Sequence, residues 1–290
     1  IPESHRKIVE YNNDANMLKA GIEAANVVST VSETYAKEIL DPYYAYGLEN
    51  ILHKRSFKIT GIVNGIDTEM YNPLKDDSLF QSYSVKSIPR KQKNKKGLQE
   101  MLNLPATNFP LIGMVTRLTG QKGLDLLMEV IEETLNLDVQ MVILGTGDWK
   151  YENGLQEAAK KYANKLSVII NFSKDIASKI YAGSDIFLMP SKFEPCGLSQ
   201  LIAMRYGSIP VVRETGGLKD TVIPYNPLTE QGVGFTFKTY DAYDMLDAIK
   251  RAVAVFDEKK KWLNIMKNAM SKDYSWKEQS KKYIDMYKNL

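Results

Sequence analysis

Short apolar runs alternate with longer amphipathic segments over most of the chain. Such runs predict buried strands over 110–115, 139–144, 166–170, 185–190, 209–212 and 234–237. Apolar residues at helical spacing predict helices over 123–135, 152–164 and 175–183, with a further helix beginning near Gly197. Apolar strands alternating with helices are typical of a parallel sheet covered on both faces. The pattern therefore predicts an α/β fold, a doubly wound Rossmann-like parallel sheet, over residues 64–258.

The segments on either side of this domain have a different pattern. Residues 16–26 predict one helix and 27–31 one strand, which is too little for a domain with its own core. We therefore expect residues 1–63 to be the remnant of an N-terminal domain, and the helical, aromatic-rich tail 259–290 to pack back toward it. The chain begins Ile1-Pro2-Glu3 without an initiator methionine, which suggests a fragment or a processed form.

Composition narrows the class of protein. Hydrophobic residues make up 44% of the chain and charged residues 25%, as in globular proteins, and the net charge of +3 gives no case for nucleic-acid or membrane binding. Cys196 is the only cysteine, which excludes an internal disulfide and fits a reducing cytosol. The basic run 86–96 is typical of the solvated face of a helix.

The carboxyl ends of the predicted strands are where such sheets bind ligands. The loop after the first strand holds Arg117 and Lys122, and the next helix starts immediately afterwards. Arginine offers a planar fork for phosphate oxygens and lysine a point charge, so the pair could neutralise a diphosphate without a metal. Two surface cations on a loop are the simpler alternative.

The loop after the fourth strand contains Glu194, whose carboxylate could accept bonds from sugar hydroxyls and stabilise positive charge at an anomeric carbon. Gly197 permits close approach of the backbone, and Ser199 could reach a phosphate. Alternatively, Glu194 merely favours the start of a helix. No histidine is near Cys196 in sequence, so we do not expect this thiol to be a nucleophile.

Several other kinds of site are disfavoured. Both histidines, His5 and His53, lie outside the predicted domain, which excludes a Ser-His-Asp triad or a histidine-rich metal site within it. The Gly145-Thr146-Gly147 turn lacks the third glycine of a dinucleotide fingerprint, and there is no P-loop. The pair Gly216-Gly217 suits a backbone wrapped around a polar ligand, but a plain turn would look the same.

Four segments, taken in order, resemble the family of bacterial glycogen synthases and plant starch synthases, glycosyltransferase family 5. They are Asn64-Gly65-Ile66-Asp67, Arg117-Leu118-Thr119 with Lys122-Gly123, Phe193-Glu194-Pro195-Cys196-Gly197-Leu198, and Thr215-Gly216-Gly217-Leu218. The resemblance implies the GT-B fold, in which two Rossmann-like domains face each other across a cleft. It also implies transfer of glucose from ADP-glucose to the non-reducing end of an α-1,4-glucan, with retention of anomeric configuration and without a metal or other cofactor.

The resemblance also implies roles for individual residues. Arg117 and Lys122 would bind the diphosphate as it leaves, and Glu194 would support the oxocarbenium-like transition state. The other expected contacts are Asn64 in the hinge, Phe172 against the adenine, Cys196, Gly197, Leu198 and Ser199 around the diphosphate and ribose, and Gly216 and Gly217 near the donor. The expected partners are ADP-glucose or ADP, an α-glucan and the missing N-terminal domain, in the cytoplasm or, in a plant, the plastid stroma.

The chain departs from the family in one important respect. The family's Lys-x-Gly-Gly-Leu phosphate loop and its cleft histidine have no match, so we expect little transferase activity from this chain alone. Ile202 stands where other GT-B families carry a second glutamate. The glycogen and starch synthase branch also lacks that glutamate, so Ile202 agrees with the resemblance. A non-catalytic binding module for nucleotide sugar or glucan, or a GT-B enzyme that uses UDP-sugars, remain alternatives, and the residues alone do not separate ADP- from UDP-glucose.

Overall fold

The computed structural model describes residues 2–290, and Ile1, the first residue of the expected N-terminal remnant, lies outside them. Ten strands are found in this part of the chain. They are β1 Glu10–Tyr11, β2 Asp14–Ala15, β3 Val28–Thr30, β4 Ile59–Gly61, β5 Leu111–Val115, β6 Gln140–Gly145, β7 Leu166–Ile170, β8 Ile186–Met189, β9 Ile209–Arg213 and β10 Phe235–Phe237. The last six form one parallel sheet, which confirms the predicted fold class.

The strand order in this sheet is β10-β9-β8-β5-β6-β7. The chain runs outward from β5 to β7 on one side and returns to β8 on the other side of β5. The order therefore reverses between β5 and β8, and a crevice opens at their carboxyl ends. All six strands are short apolar runs, and those at the centre are almost fully buried because helices cover both faces.

Fifteen α-helices lie within residues 2–290. They are α1 Arg6–Val9, α2 Met17–Ala24, α3 Glu33–Glu38, α4 Pro42–Ala45, α5 Glu49–Lys54, α6 Lys91–Met101, α7 Leu124–Glu129, α8 Ile131–Asn136, α9 Trp149–Lys161, α10 Lys174–Gly183, α11 Ser199–Arg205, α12 Gly216–Thr221, α13 Ala242–Asp257, α14 Lys259–Met270 and α15 Trp276–Lys288. The helix expected over 123–135 is divided at Val130 into α7 and α8. None of the helices in the described residues is long and apolar enough to cross a membrane.

The N-terminal segment is more structured than its sequence pattern indicates. In addition to the expected helix and strand it contains β4, which pairs in parallel with β3. A small apolar cluster, separate from the main core, is formed by Ile22, Ala45, Leu48, Ile51 and Leu52. Short segments such as 59–61 were missed because three residues carry too little periodicity to identify a strand.

The tail does not pack as one unit. The apolar face of α14 joins the core of the large domain, where Trp262 lies parallel to the ring of Phe235 at 6.4 Å between centroids and edge-on to Phe256 at 5.3 Å. Residues 259–270 therefore belong with the large domain, beyond the expected boundary at 258. The apolar residues of α14 recur at helical spacing, so they lie on one face of the helix, and this face packs against the core of the sheet. After them, Ser275 forms a parallel bridge with Ile66 at the junction of the two parts.

The basic run 86–96 is not simply a solvated face, as expected from its charge. Lys91 and Lys95 are both buried on α6, whereas Lys93 and Lys96 are exposed. Lys95 Nζ is 2.7 Å from Asp185 Oδ2, and Lys91 Nζ donates to the carbonyls of Tyr181 and Ala182. Burial of these lysines is tolerated because each side-chain nitrogen is paired or hydrogen-bonded.

Candidate active site at the carboxyl ends of β5 and β8

The loops that follow β5 and β8 touch at the point where the strand order reverses. Gly123 has a φ of +76°, and a Cβ built on it would lie 2.1 Å from the carbonyl oxygen of Pro190. Only glycine satisfies both the left-handed backbone and this approach. The amide of Lys192 also donates to the carbonyl of Gln121 at 2.9 Å. These contacts place the two loops, which are about 70 residues apart in sequence, side by side.

Lys122 and Glu194 meet at this contact. The Lys122 Nζ lies 2.6 Å from the Glu194 Oε2, and the hydroxyl of Ser191 donates to the same oxygen at 3.0 Å. Glu194 is only 8% exposed, so its charge is compensated chiefly by this lysine and this hydroxyl. The arrangement holds the Glu194 carboxyl group in a fixed position at the carboxyl end of the sheet.

A cavity of about 200 Å³ opens above this pair. The ends of β5 and β8, the side chains of Lys122, Ser191 and Glu194, and the start of α11 line it. Its lining residues are Met114, Val115, Thr116, Lys122, Leu188, Met189, Ser191, Glu194, Gly197, Leu198 and Ser199. Five of the residues singled out from sequence, Lys122, Glu194, Gly197, Leu198 and Ser199, therefore share one cavity.

The loop that carries Glu194 is held in place from behind. The buried side chain of Gln200 donates through Nε2 to the carbonyls of Cys196 and Gly197, at 3.1 and 2.9 Å. The amide of Gly217 donates to the carbonyl of Glu194 at 3.1 Å, and a Cβ on Gly217 would lie 2.0 Å from the Cys196 oxygen. The Gly216-Gly217 pair thus allows α12 to approach the Glu194 loop closely.

Asn64 reaches the same loop from the junction between the two parts of the chain. The backbone amide of Asn64 donates to the Cys196 Sγ at 3.4 Å. Burial raises the pKa of the Cys196 thiol above its ordinary value, with a smaller contribution from Glu194 and Asp220, while the contact with Asn64 opposes it. A thiol with a raised pKa is a poor nucleophile, in agreement with the expectation from sequence.

Six of the eleven expected residues do not line the cavity. Asn64, Cys196, Gly216 and Gly217 make the contacts around the Glu194 loop described above, whereas Arg117 and Phe172 make none of those contacts. Arg117 lies on the β5 loop but is exposed, and its guanidinium donates to Gln121 Oε1 at 3.1 Å. Phe172 follows β7 at the edge of the sheet and is 90% exposed. Both lie at the carboxyl edge of the sheet, as their positions after β5 and β7 require, but neither lines the space above Glu194.

Three residues that shape the site were not predicted from the sequence. Ser191 and Gln200 hold the Glu194 loop as described above. Glu38, on α3, accepts hydrogen bonds from the Thr215 hydroxyl at 2.9 Å and the Gly216 amide at 3.0 Å. Ser191 directly follows the predicted strand 185–190, which is a usable signal. The partners of Glu38 are about 180 residues away and leave no local trace.

Two family models match this chain. Residues 100–269, which carry the sheet and the site, match the family described as Glycosyl transferases group 1. Residues 1–54 match the family described as Starch synthase catalytic domain.

Curated relatives match nearly the whole chain. It is 49% identical over 283 residues to a glycogen synthase of Anoxybacillus flavithermus, which covers 97% of this chain and 58% of that protein. It is 50% identical over 282 residues to a glycogen synthase of Clostridium novyi, covering 97% and 59%. The chain thus spans about 60% of the length of the curated relatives that it matches.

A solved structure has the same architecture. The catalytic domain of starch synthase IV from Arabidopsis thaliana, bound to ADP and acarbose, superimposes with a TM-score of 0.90 at 36% identity. The match covers 97% of this chain and 59% of that one. The strand order and the site around Glu194 agree with what these relatives indicate. The chain belongs to the glycosyl transferases of group 1, in the family of bacterial glycogen synthases and plant starch synthases.

Proposed function

We propose that this chain carries the donor-binding site of an α-glucan synthase, a hexosyltransferase that moves glucose from ADP-glucose to the non-reducing end of an α-1,4-glucan with retention. The observation that carries the proposal is the Lys122–Glu194 pair, 2.6 Å apart, in a cavity at the reversal of strand order. In parallel α/β sheets this is where ligands bind. The 36% identical starch synthase that shares this fold binds ADP and acarbose.

The cations would hold the diphosphate. Lys122 lines the cavity, and Arg117 lies five residues before it on the same loop, exposed and within reach of solvent. An arginine fork and a lysine point charge together can balance the charge that builds on a leaving nucleoside diphosphate. We therefore propose that the reaction needs no metal. The backbone amides of Gly197, Leu198 and Ser199, at the mouth of the cavity, would add uncharged donors.

Glu194 would act on the sugar. Its carboxylate is fixed by Lys122 and Ser191 and faces the cavity, where it could accept hydrogen bonds from sugar hydroxyls. A fixed negative charge beside the anomeric carbon stabilises an oxocarbenium-like transition state without reorganisation. When a diphosphate binds, Lys122 would share its charge between the phosphate and Glu194, which couples donor binding to the position of the carboxylate.

The base of the donor would lie farther along the sheet edge. Phe172, 90% exposed after β7, offers a free aromatic face for an adenine. The backbone around the Glu194 loop would add further contacts to the donor, from Asn64, Cys196, Gly216 and Gly217. The position of Phe172 after β7, at the ligand-binding edge of the sheet, supports this assignment.

We test the proposal by isothermal titration calorimetry of this chain with ADP, ADP-glucose, UDP and UDP-glucose. ADP and ADP-glucose should bind more tightly than their uridine counterparts. Arg117→Ala should weaken ADP binding by about tenfold, the loss expected for one charge-assisted contact, while Arg251→Ala, on the outside of α13, should leave it unchanged. Equal affinity for all four nucleotides, unaffected by Arg117→Ala, would contradict the assignment.

We also propose that transfer requires more protein than this chain. A transferase must align donor and acceptor, and a single wall of a cleft provides little of that alignment. This chain should therefore bind ADP-glucose in calorimetry but show negligible elongation in a glucan-extension assay with labelled ADP-glucose. Both measurements are made under reducing conditions, which keep the Cys196 thiol free. Turnover comparable to that of a full-length synthase would refute this part of the proposal.

A further inference from the structure

A second cavity lies at the opposite end of the sheet from Glu194. It has a volume of about 340 Å³, within the ordinary range for small-molecule sites, about 300–1,000 Å³. Asp185, which lines it, directly precedes β8, whereas Ser191 and Glu194 follow that strand. The length of β8 therefore separates this space from the proposed donor site. We call it the amino-end cavity, and its chief lining residues are Ile88, Lys91, Lys95, Asp185, Lys259 and Trp262.

The amino-end cavity carries an excess of positive charge. Lys91, Lys95 and Lys259 line it, and among its described lining residues Asp185 is the only carboxylate. Lys95 Nζ is 2.7 Å from Asp185 Oδ2, and the same oxygen accepts the amide of Leu111 at 2.9 Å. Because this pair balances its own charge, Lys91 and Lys259 are left to meet a ligand. The site therefore favours an anion over a cation.

Lys91 has one potential hydrogen bond that the fold does not use. Its Nζ donates to the carbonyls of Tyr181 and Ala182, at 3.2 and 2.6 Å. These two acceptors satisfy a neutral amine, which has two N–H donors, whereas an ammonium has three. The third N–H of the ammonium has no oxygen acceptor in the described part of the chain. An anion in the cavity would supply this acceptor.

The surroundings of Lys91 determine whether it carries a proton. Complete burial lowers its pKa to about 7, the charge of Asp185 opposes this shift, and that of Lys95 adds to it. The other titratable groups nearby are Tyr83, whose ring centre is 5.8 Å from the Lys91 Nζ, and Lys259, which lines the same cavity. An anion beside Lys91 stabilises the ammonium and raises the pKa, so its binding takes up a proton above pH 7.

The rest of the wall is apolar and contains an unpaired donor. Ile88, Phe256, Leu263 and Met266 contribute aliphatic and aromatic surface. Trp262 also lines the cavity and is 4% exposed, and its indole Nε1 has no hydrogen-bond partner among residues 2–290. A buried N–H without an acceptor is unfavourable. A ligand with both an apolar body and an acceptor oxygen therefore suits this wall better than a fully polar one.

We propose that the amino-end cavity binds a small monocarboxylate with an apolar body, such as an arylacetate. A single negative charge matches the one ammonium that Lys91 provides, whereas a phosphate dianion would need a second compensating charge in a buried place. The carboxylate lies between Lys91 and Lys259, and the apolar body against Phe256 and Trp262. The inference is independent of the proposed function, since the amino-end cavity shares no lining residue with the cavity around Glu194.

The probes are phenylacetate and its uncharged isostere phenylacetamide, titrated into the chain by calorimetry at pH 7 and pH 8. At pH 7 phenylacetate should bind at least about tenfold more tightly, as expected for a charge-assisted contact. Its affinity should fall by about four- to sixfold at pH 8, because more of the free Lys91 is then neutral, while that of phenylacetamide stays constant. Tris and triethanolamine differ in ionisation enthalpy, and the measured heats in these two buffers should show uptake of at least about half a proton at pH 8.

Two variants separate a ligand contact from a purely structural role of the lysines. Lys91→Met should abolish the proton uptake and the pH dependence. Lys259→Ala removes an exposed side chain, which leaves the fold intact, and it should weaken phenylacetate binding by about two- to fivefold. Lys260→Ala, at the exposed neighbouring position outside the cavity, is the matched control and should leave the affinity unchanged. Thermal unfolding shows whether each variant is folded.

The outcomes decide the proposal. Proton-linked binding of phenylacetate that Lys259→Ala weakens and Lys260→Ala does not affect supports it. No detectable binding, equal binding of phenylacetate and phenylacetamide, or binding without proton uptake at pH 8 overturns it. Equal losses in the Lys259 and Lys260 variants overturn it as well, because they would indicate general attraction to a basic surface. ADP should bind equally well with and without phenylacetate, and mutual displacement would contradict a separate site.

Discussion

Among single residues, Lys122 has the most demanding position, because it serves a carboxylate in the structure and a phosphate in the proposed reaction. Its ammonium lies 2.6 Å from Glu194, which is 8% exposed and has Ser191 as its other partner. The residue types were identifiable from sequence, since both follow predicted strands. Their contact was not, because 72 residues separate them and only the tertiary fold brings them together.

This pairing predicts opposite effects for two substitutions. Lys122→Ala should weaken ADP binding by about ten- to a hundredfold, since a charge-assisted bond to phosphate is lost. Glu194→Gln should bind ADP at least as tightly as the wild type, because it frees the lysine from its competing anion. Both affinities are measured by calorimetry. A Glu194→Gln variant that binds ADP as weakly as Lys122→Ala would contradict the separate roles.

Lys91 gives a prediction about pH and stability. Complete burial is the main cause that lowers its pKa to about 7, reinforced by Lys95 and opposed by Asp185. The unfolded chain would titrate near 10.4. Between these values the unfolded state holds a proton that the folded state lacks, so the free energy of unfolding should rise with pH, by at most about 1.4 kcal/mol for each pH unit.

The comparison is between wild type and Lys91→Met, in urea unfolding at pH 7.5 and pH 9. Relative to the variant, the wild type should gain about 1–2 kcal/mol over this range. The variant serves as the reference because all other titrating groups are common to both proteins. A difference in unfolding free energy that stays constant with pH would mean that Lys91 remains charged inside the protein.

At the scale of elements, hydrophobic patterning was enough to place the six strands of the main sheet. The run 110–115 became β5 Leu111–Val115, and 166–170 is β7 without change. Burial on both faces makes such strands continuous apolar runs, and this is why they are easy to identify. Two features were not predicted from the sequence. They are the break between α7 and α8 at Val130, and the burial of Lys91 and Lys95, whose partners lie about 90 residues away.

The contact between α3 and α12 provides a prediction at this scale. Glu38 accepts hydrogen bonds from Thr215 and from the amide of Gly216, both of which are buried. Glu38→Ala should lower the stability by about 1–3 kcal/mol, because two buried donors lose their acceptor. Glu33→Ala, an exposed position on the same helix, should change it by less than about 0.5 kcal/mol. Chemical denaturation measures both, and equal values would exclude a specific role for Glu38.

For the whole molecule, strand order determines where chemistry can occur. The sheet reverses between β5 and β8, and the loops at that point carry Lys122 and Glu194. The overall architecture was predictable because alternating strands and helices allow few topologies. The contribution of the N-terminal segment was not: Glu38 in residues 1–63 contacts α12, and Asn64, which directly follows that segment, contacts Cys196, both across long separations in sequence.

A donor site at Lys122 and Glu194 is tested by locating bound ADP-glucose through the shifts of backbone amide resonances on titration. The largest shifts are expected at Lys122, Gly123, Ser191, Gly197 and Ser199, around the carboxyl ends of β5 and β8. Amides at the opposite end of the sheet, such as those of Gln92 and Asn108, should not move. Shifts centred on that opposite end, or no shifts at saturating ADP-glucose, would contradict a donor site at Lys122 and Glu194.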